Sequence, residues 1–246
     1  GSPMIQPMNK YAFLVFHRDY EGFLLRLREL GVVHVREQVS TKEVEELQAL
    51  QAERMHLVAL RKELRPYEVP AAESGQQVQL PTEVDGRALV SHIEEELEAR
   101  RRLVERITAL KAEADEVRPW GTFDEGTFTR LEEVGYTLDF YALPVSQFTE
   151  SFRATHDVVP IEVVSGRQYF VLLRALDAKV HLPEAEAIRR PQRSVDRVEQ
   201  ELAEAQTALD QATDQLRASF PGWQAQLQAY DTDLENHLTF GTVRLQ

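Results

Sequence analysis

The apolar positions of this chain change period several times, and the predicted elements follow those changes. KYAFLVFH, residues 10–17, is an aromatic and β-branched run that predicts a buried strand. Asp19 offers an N-cap, and Phe23, Leu24, Leu27 and Leu30 recur at helical spacing up to Gly31, a C-terminal stop. VVHVRE, residues 32–37, predicts a second strand. Residues 1–41 therefore read as a β-α-β unit, which sets its two strands parallel with the helix on one face.

From Lys42 to Arg65 there is neither Gly nor Pro, and Leu50, Leu57 and Leu64 recur every seven residues as d-like positions of a heptad. The a-like positions are Leu47, Arg54 and Arg61, so this seam is half polar. Pro66, Pro70, Gly75 and Pro81 mark a loop over 66–85. A second helix is predicted over 86–117, where Leu89, Ile93, Arg100, Leu103, Ile107, Leu110, Ala114 and Val117 keep a 4-3 spacing with Glu96 as the misfit. A third helix carries Val195, Val198, Leu202, Ala205, Leu209, Ala212 and Leu216 in unbroken steps of three and four. Phe220, Trp223, Leu227, Tyr230 and Leu234 extend its stripe past Pro221-Gly222, where a kink is expected.

Residues 118–192 have a different texture. YTLDFYALP (136–144), DVVPIEVVS (157–165) and RQYFVLLRA (167–175) predict strands, with Gly166 at a hairpin turn. DEGTFTRLEEVG (124–135), SQFTESFRATH (146–156) and PEAEAIRR (183–190) predict short helices. The mixture implies a ferredoxin-like α+β lobe. The expected architecture is α+β, a dumbbell of two small α/β lobes joined by a long antiparallel helical coiled coil. Residues 1–41 begin the proximal lobe, 42–117 run outward and 118–192 form the distal lobe. Residues 193–238 return, and 239–246 start a truncated closing strand of the proximal lobe. The third helix is ~70 Å long and the first two total ~84 Å, so a tandem layout of those two is preferred over a hairpin. Leu50, Leu57, Leu64, Leu103, Ile107, Leu110, Val198, Leu202, Leu209 and Leu216 are the expected seam.

Charge narrows the partners. Lys and Arg number 28 against 41 Asp and Glu, a formal net charge of −13, which disfavours nucleic acid and anionic lipid. The chain has no cysteine and so no disulfide, thiolate metal site or cysteine nucleophile. No apolar run approaches the ~20 residues of a membrane span. Gly1-Ser2-Pro3 before Met4 has the look of a cloning remnant, and no signal peptide is expected.

Chemistry-bearing motifs do not emerge. The seven histidines include no i, i+4 pair and no HExxH. There is no GxGxxG, no Walker loop and no GxSxG, and GTFDEG (121–126) lacks the Lys-Ser/Thr of a phosphate loop. The run from Glu94 to Arg102 reads as surface ion pairs of a few tenths of a kcal/mol each. The expectation is a non-enzyme with no catalytic residue, cofactor or metal.

Residues 8–37, MNKYAFLVFHRDYEGFLLRLRELGVVHVRE, resemble the N-terminus of the stator subunit of V-type and A-type rotary ATPases, called subunit a in eukaryotes and subunit I in bacteria and archaea. Met8, Lys10, Leu27, Leu30, Gly31, Val32, Val33 and His34 match that family's pattern. The long helices, central α/β lobe and returning helix resemble its cytoplasmic half along the whole chain. The resemblance implies a torque-resisting scaffold that binds peripheral-stalk subunits at both lobes and touches other ATPase subunits. It also implies a place on the cytoplasmic face of a membrane, this portion itself being soluble. The family's membrane half, with its essential arginine, and its Gly-Trp-Val-Pro stretch are absent, so the chain looks like an excised cytoplasmic domain. Two other readings stand beside it. One is a metabolite-sensing regulatory module, which predicts a polar-lined pocket; the other is a self-dimerising coiled-coil tether.

Overall fold

The computed structural model describes residues 41–70 and 85–244, with side chains described as far as Gly241. The strands expected at 10–17 and 32–37, the helix between them and most of the 66–85 loop lie outside the described residues. The elements are α1 (Thr41–Leu64), α2 (Gly86–Val117), α3 (Thr127–Glu133), β1 (Tyr136–Pro144), α4 (Glu150–Thr155), β2 (Val158–Val164), β3 (Arg167–Ala175), β4 (Glu186–Ile188) and α5 (Val195–Arg244). The described residues divide into two compact units, 41–70 and 85–98 with 212–244, and 99–211. Both α2 and α5 contribute to each.

In the first unit, α1, the start of α2 and the later part of α5 share one core. Leu57, Leu60 and Leu64 of α1 meet Ile93 and Leu97 of α2, and Leu216, Phe220, Trp223, Leu227 and Leu234 of α5. The cross-links give the directions. Glu53 pairs with Arg87 and His56 with Glu94, so α1 and α2 run side by side in the same sense. Arg54 reaches Asp231 while Arg61 reaches Gln228, so α5 runs opposite to α1. Here α1 and α2 are neither in tandem nor a hairpin. They overlap in parallel, because only overlap lets Ile93 and Leu97 fill the same core as Leu57 and Leu60.

The second unit holds the sheet, in the order β2-β3-β1-β4 with every neighbouring pair antiparallel. β1 and β2 are therefore parallel with β3 between them, and α4 connects them, a split β-α-β arrangement. The β2–β3 hairpin turns through Ser165 (φ 51°) and Gly166 (φ 74°). Two residues with positive φ match the right-handed twist of the flanking strands, and glycine takes that conformation without strain. Alternation does the rest. Tyr141, Leu143, Phe170 and Leu172 face Phe148, Phe152 and Leu182. Phe140 and Val171 face Trp120, with Phe123 and Phe128 against them. Trp120 stands edge-on to Phe140 at 4.9 Å and to Tyr169 at 5.4 Å, the favoured geometry for ring quadrupoles. Beside the sheet, α2 and α5 pack through Ile107, Leu110, Ala114, Val117, Val198 and Ala205.

The expected dumbbell of two α/β lobes joined by a long coiled coil is not what forms. The described residues hold one small four-stranded antiparallel sheet, and the rest is mainly helical with a single long C-terminal helix. The heptad-like leucines misled because, in the first unit, they serve a broad core shared by three helices, and a two-stranded seam has the same spacing over a few turns. The expected closing strand at 239–246 is also corrected, since α5 continues to Arg244. Gly241 sits where an added Cβ would lie 2.4 Å from Leu47 Cδ2, so its lack of a side chain admits α1. PEAEAIRR forms no helix; it supplies β4, because its register opposite Phe140, Tyr141 and Ala142 outweighs helix propensity. At Pro221-Gly222 the helix is unbroken.

Candidate functional site

The structure distributes nine of the ten seam residues over two cores. Leu57, Leu64 and Leu216 are buried in the first unit, with Leu50 half-buried against them. Ile107, Leu110 and Val198 are buried in the second, with Leu202 and Leu209 half-buried beside them. Leu103 is half-buried on α2. Two residues that fill the cores were missed. Leu60 is buried, and Arg61, assigned to the seam, instead flanks it and donates to Gln228 Oε1 at 2.9 Å. The signal was present, because Leu57, Leu60 and Leu64 are spaced three and four apart. Likewise Leu97 is the buried residue where Glu96 looked like a defect in the stripe. Glu96 faces His92 across one helical turn at 3.1 Å.

Polar residues tie the helices together. In the first unit the Tyr230 hydroxyl donates to Glu53 Oε2 at 2.9 Å, and Arg87 pairs with Glu53 Oε1 at 2.7 Å. Burial, and then the Glu53 carboxylate, push the Tyr230 hydroxyl above its ordinary value. The ring lies over Gly86, where a Cβ would fall 2.1 Å from it. In the second unit Arg193 grips Glu113 with two nitrogens, at 2.9 and 2.6 Å, and also Glu201. The Arg193 guanidinium is raised by hydrogen bonds to Glu113 and then Glu201, and the Glu201 carboxylate is lowered chiefly by its bond to Arg193. A planar donor fork suits a bidentate carboxylate, and such a pair fixes two helices in register.

A cleft of about 710 Å³ opens in the second unit. Register places Thr137, Asp139 and Tyr141 of β1 on one sheet face with Arg174 of β3. Phe148, Phe152 and Leu182 pack on the Tyr141–Phe170 part of that face. The Asp139–Arg174 part stays open beneath residues 178–181. Arg174 bonds Asp139 from Nε at 2.6 Å and Nη2 at 3.3 Å, and donates from Nη1 to the Ala178 carbonyl at 2.8 Å. These bonds raise the Arg174 guanidinium, the hydrogen bond to Asp139 being the largest cause. Tyr141 is raised by burial and then by the Asp139 charge.

Among the described residues no group of three or more His, Asp or Glu is placed to hold a metal ion, and no helix is long and apolar enough to cross a membrane. The histidines are used singly. His56 faces Glu94, His92 stands edge-on to Trp223 at 6.1 Å, and His237 bonds the Asp233 carbonyl at 2.8 Å. His34 lies outside the described residues. No protein-family model matches the chain, and no curated protein matches it.

Proposed function

We propose that this chain is a stator scaffold of a V/A-type rotary ATPase, a non-catalytic subunit portion that binds peripheral-stalk subunits and resists rotor torque on the cytoplasmic side of a membrane. The observation that carries the reading is the order and spacing of Met8, Lys10, Leu27, Leu30, Gly31, Val32, Val33 and His34 within residues 8–37. The internal use of the long helices supports it. In each unit their apolar stripes pack on one another, and Arg54, Tyr230 and Arg193 cross-tie them. A load-bearing part needs such ties, because a packed core with fixed register resists shear better than exposed helices held by propensity alone.

The test is direct binding to the purified peripheral-stalk subunits encoded by the same genome, read by calorimetry and by the mass of the eluted complex. The expected result is a defined complex with micromolar or tighter affinity. Absence of a complex at about 10 μM, the range of a weak specific interface, sinks the reading. A self-dimerising tether would instead show a doubled mass without any stalk subunit. One observation favours the metabolite-sensing alternative, the polar-lined cleft beside Asp139 and Arg174.

A further inference from the structure

We propose that the cleft on β1 binds a small molecule through an oxyanion group, a phosphate or a carboxylate. Three lines meet there. The first is charge. Arg174, Lys179 and Arg190 line the cleft against one carboxylate, Asp139, and His181 stands at the same wall. Counting Glu132, which pairs with Arg190 from outside the lining, that leaves a local surplus of one positive charge in a chain whose formal charge is −13. Cations gathered in a concave site between low-dielectric walls raise the local concentration of anions well above bulk.

The second line is how those cations are held. Arg174 is pinned by Asp139 and by the Ala178 carbonyl. Arg190 donates to Thr137 Oγ1 at 2.8 Å, lies over the Phe128 ring at 4.5 Å and faces Glu132 at 3.5 Å. Both guanidinium groups are set in place before any ligand arrives, which lowers the ordering cost of binding. Lys179 differs, with no ion pair among the described residues. It is the flexible charge that an incoming anion would recruit.

The third line is room. A volume of about 710 Å³ exceeds what a bare phosphate needs and lies in the range of small-molecule sites, roughly 300–1,000 Å³. Tyr141, Ala178, Val180 and Ala187 line it too, so the ligand has a body to bury as well as a charged end. The arrangement exists because β4 is only three residues long, and the loop from β3 to β4 carries Lys179 and His181 over the face it leaves uncovered.

The proposal stands apart from the stator reading, since it concerns a site within one unit and needs no stalk subunit. Its test uses the full chain in two-dimensional amide NMR. One arm titrates inorganic phosphate, one succinate, and a third chloride at matched ionic strength. The expected result is saturable movement of the amides at 137–141 and 178–181 with phosphate or with succinate, and none with chloride. The responding arm identifies the oxyanion. Lys179→Glu, at an exposed loop position, should keep the spectrum of a folded protein and weaken the response by roughly tenfold, about the worth of one charge-assisted hydrogen bond. The proposal is overturned if neither anion produces a saturable shift by about 10 mM, the weak end of specific affinity, or if Lys179→Glu leaves the response unchanged.

Discussion

The two units solve the same packing problem with different numbers of helices, and the difference shows in what they bury. In the first, three helical segments surround one core, which takes in Phe220, Trp223 and seven leucines with hardly any exposure. Beside the sheet of the second, α2 and α5 meet as a pair, and the residues sealed between them include Ala114 and Ala205 while Leu202 and Leu209 stay half-buried. Two cylinders touch along a thin line, so a long side chain there keeps one flank in water. A third helix closes that flank. The pair compensates with charge, through Arg193 gripping Glu113 and Glu201 at its edge.

The largest expected effect tests that contrast directly. Leu216→Ala, at a site 1% exposed, should cost about 2–5 kcal/mol in chemical denaturation. Leu209→Ala, identical in chemistry, should cost only about 1 kcal/mol, because part of the side chain's transfer energy is never gained in the folded state. Equal losses at the two sites would mean that the second unit's helix pair is as closed as the first unit's core.

Close approach comes next. Gly86→Ala places a methyl group within 2.2 Å of the Tyr230 ring at two atoms, and the ring must leave its bond to Glu53. About 1–3 kcal/mol should be lost, as for other overpacked sites. Gly222→Ala is the control. Nothing lies within 4 Å of its added Cβ, so it should stabilise the helix by roughly 0.5–1 kcal/mol. A neutral Gly86→Ala would place α2 farther from α5 than described.

The charged edge of the second unit should respond to salt. Arg193→Gln should lower the melting temperature at low ionic strength and less so near 1 M salt, where the screening length is about 3 Å. The first unit's Leu216→Ala should keep its full effect in salt. A salt-independent loss in Arg193→Gln would assign that residue to packing.

Proton linkage gives the smallest effect. The Tyr230 hydroxyl is raised in the folded state, so its contribution is whole below the unfolded value of about 10 and fades as pH rises through the higher folded value. Tyr230→Phe should therefore flatten part of the fall in melting temperature above about pH 10. Tyr141→Phe, which removes the corresponding raised hydroxyl of the second unit, shows how the alkaline loss divides between the two.

Much of this was written in local patterns. YTLDFYALP and RQYFVLLRA form strands with the bounds expected of them, Tyr136–Pro144 and Arg167–Ala175, because β-branched and aromatic residues bounded by turn residues need no distant partner to declare themselves. The breakless runs from Thr41 and Gly86 are helices for a similar reason: alternatives would bury polar side chains. PEAEAIRR was illegible, since a strand of three residues has too little pattern to oppose good helix formers, and only the free edge of β1 recruits it. The cleft was illegible too. Asp139, Arg174, Lys179 and Arg190 are scattered over some fifty residues and converge only through the strand register.

The sequence by itself determined where the helices and the central strands lie and which positions repeat along their apolar stripes. Tertiary structure alone decided that Leu60 and Leu97 complete the first core, that α1 and α2 overlap in parallel, and that α5 continues past Leu238 to Arg244. The reason is physical. A 3.6-residue period says which face of a helix is apolar, but it is the same for one neighbour or two and for either direction of approach. Partner number and direction are set by which side chains fill the shared volume, and that volume exists only once the chain has folded.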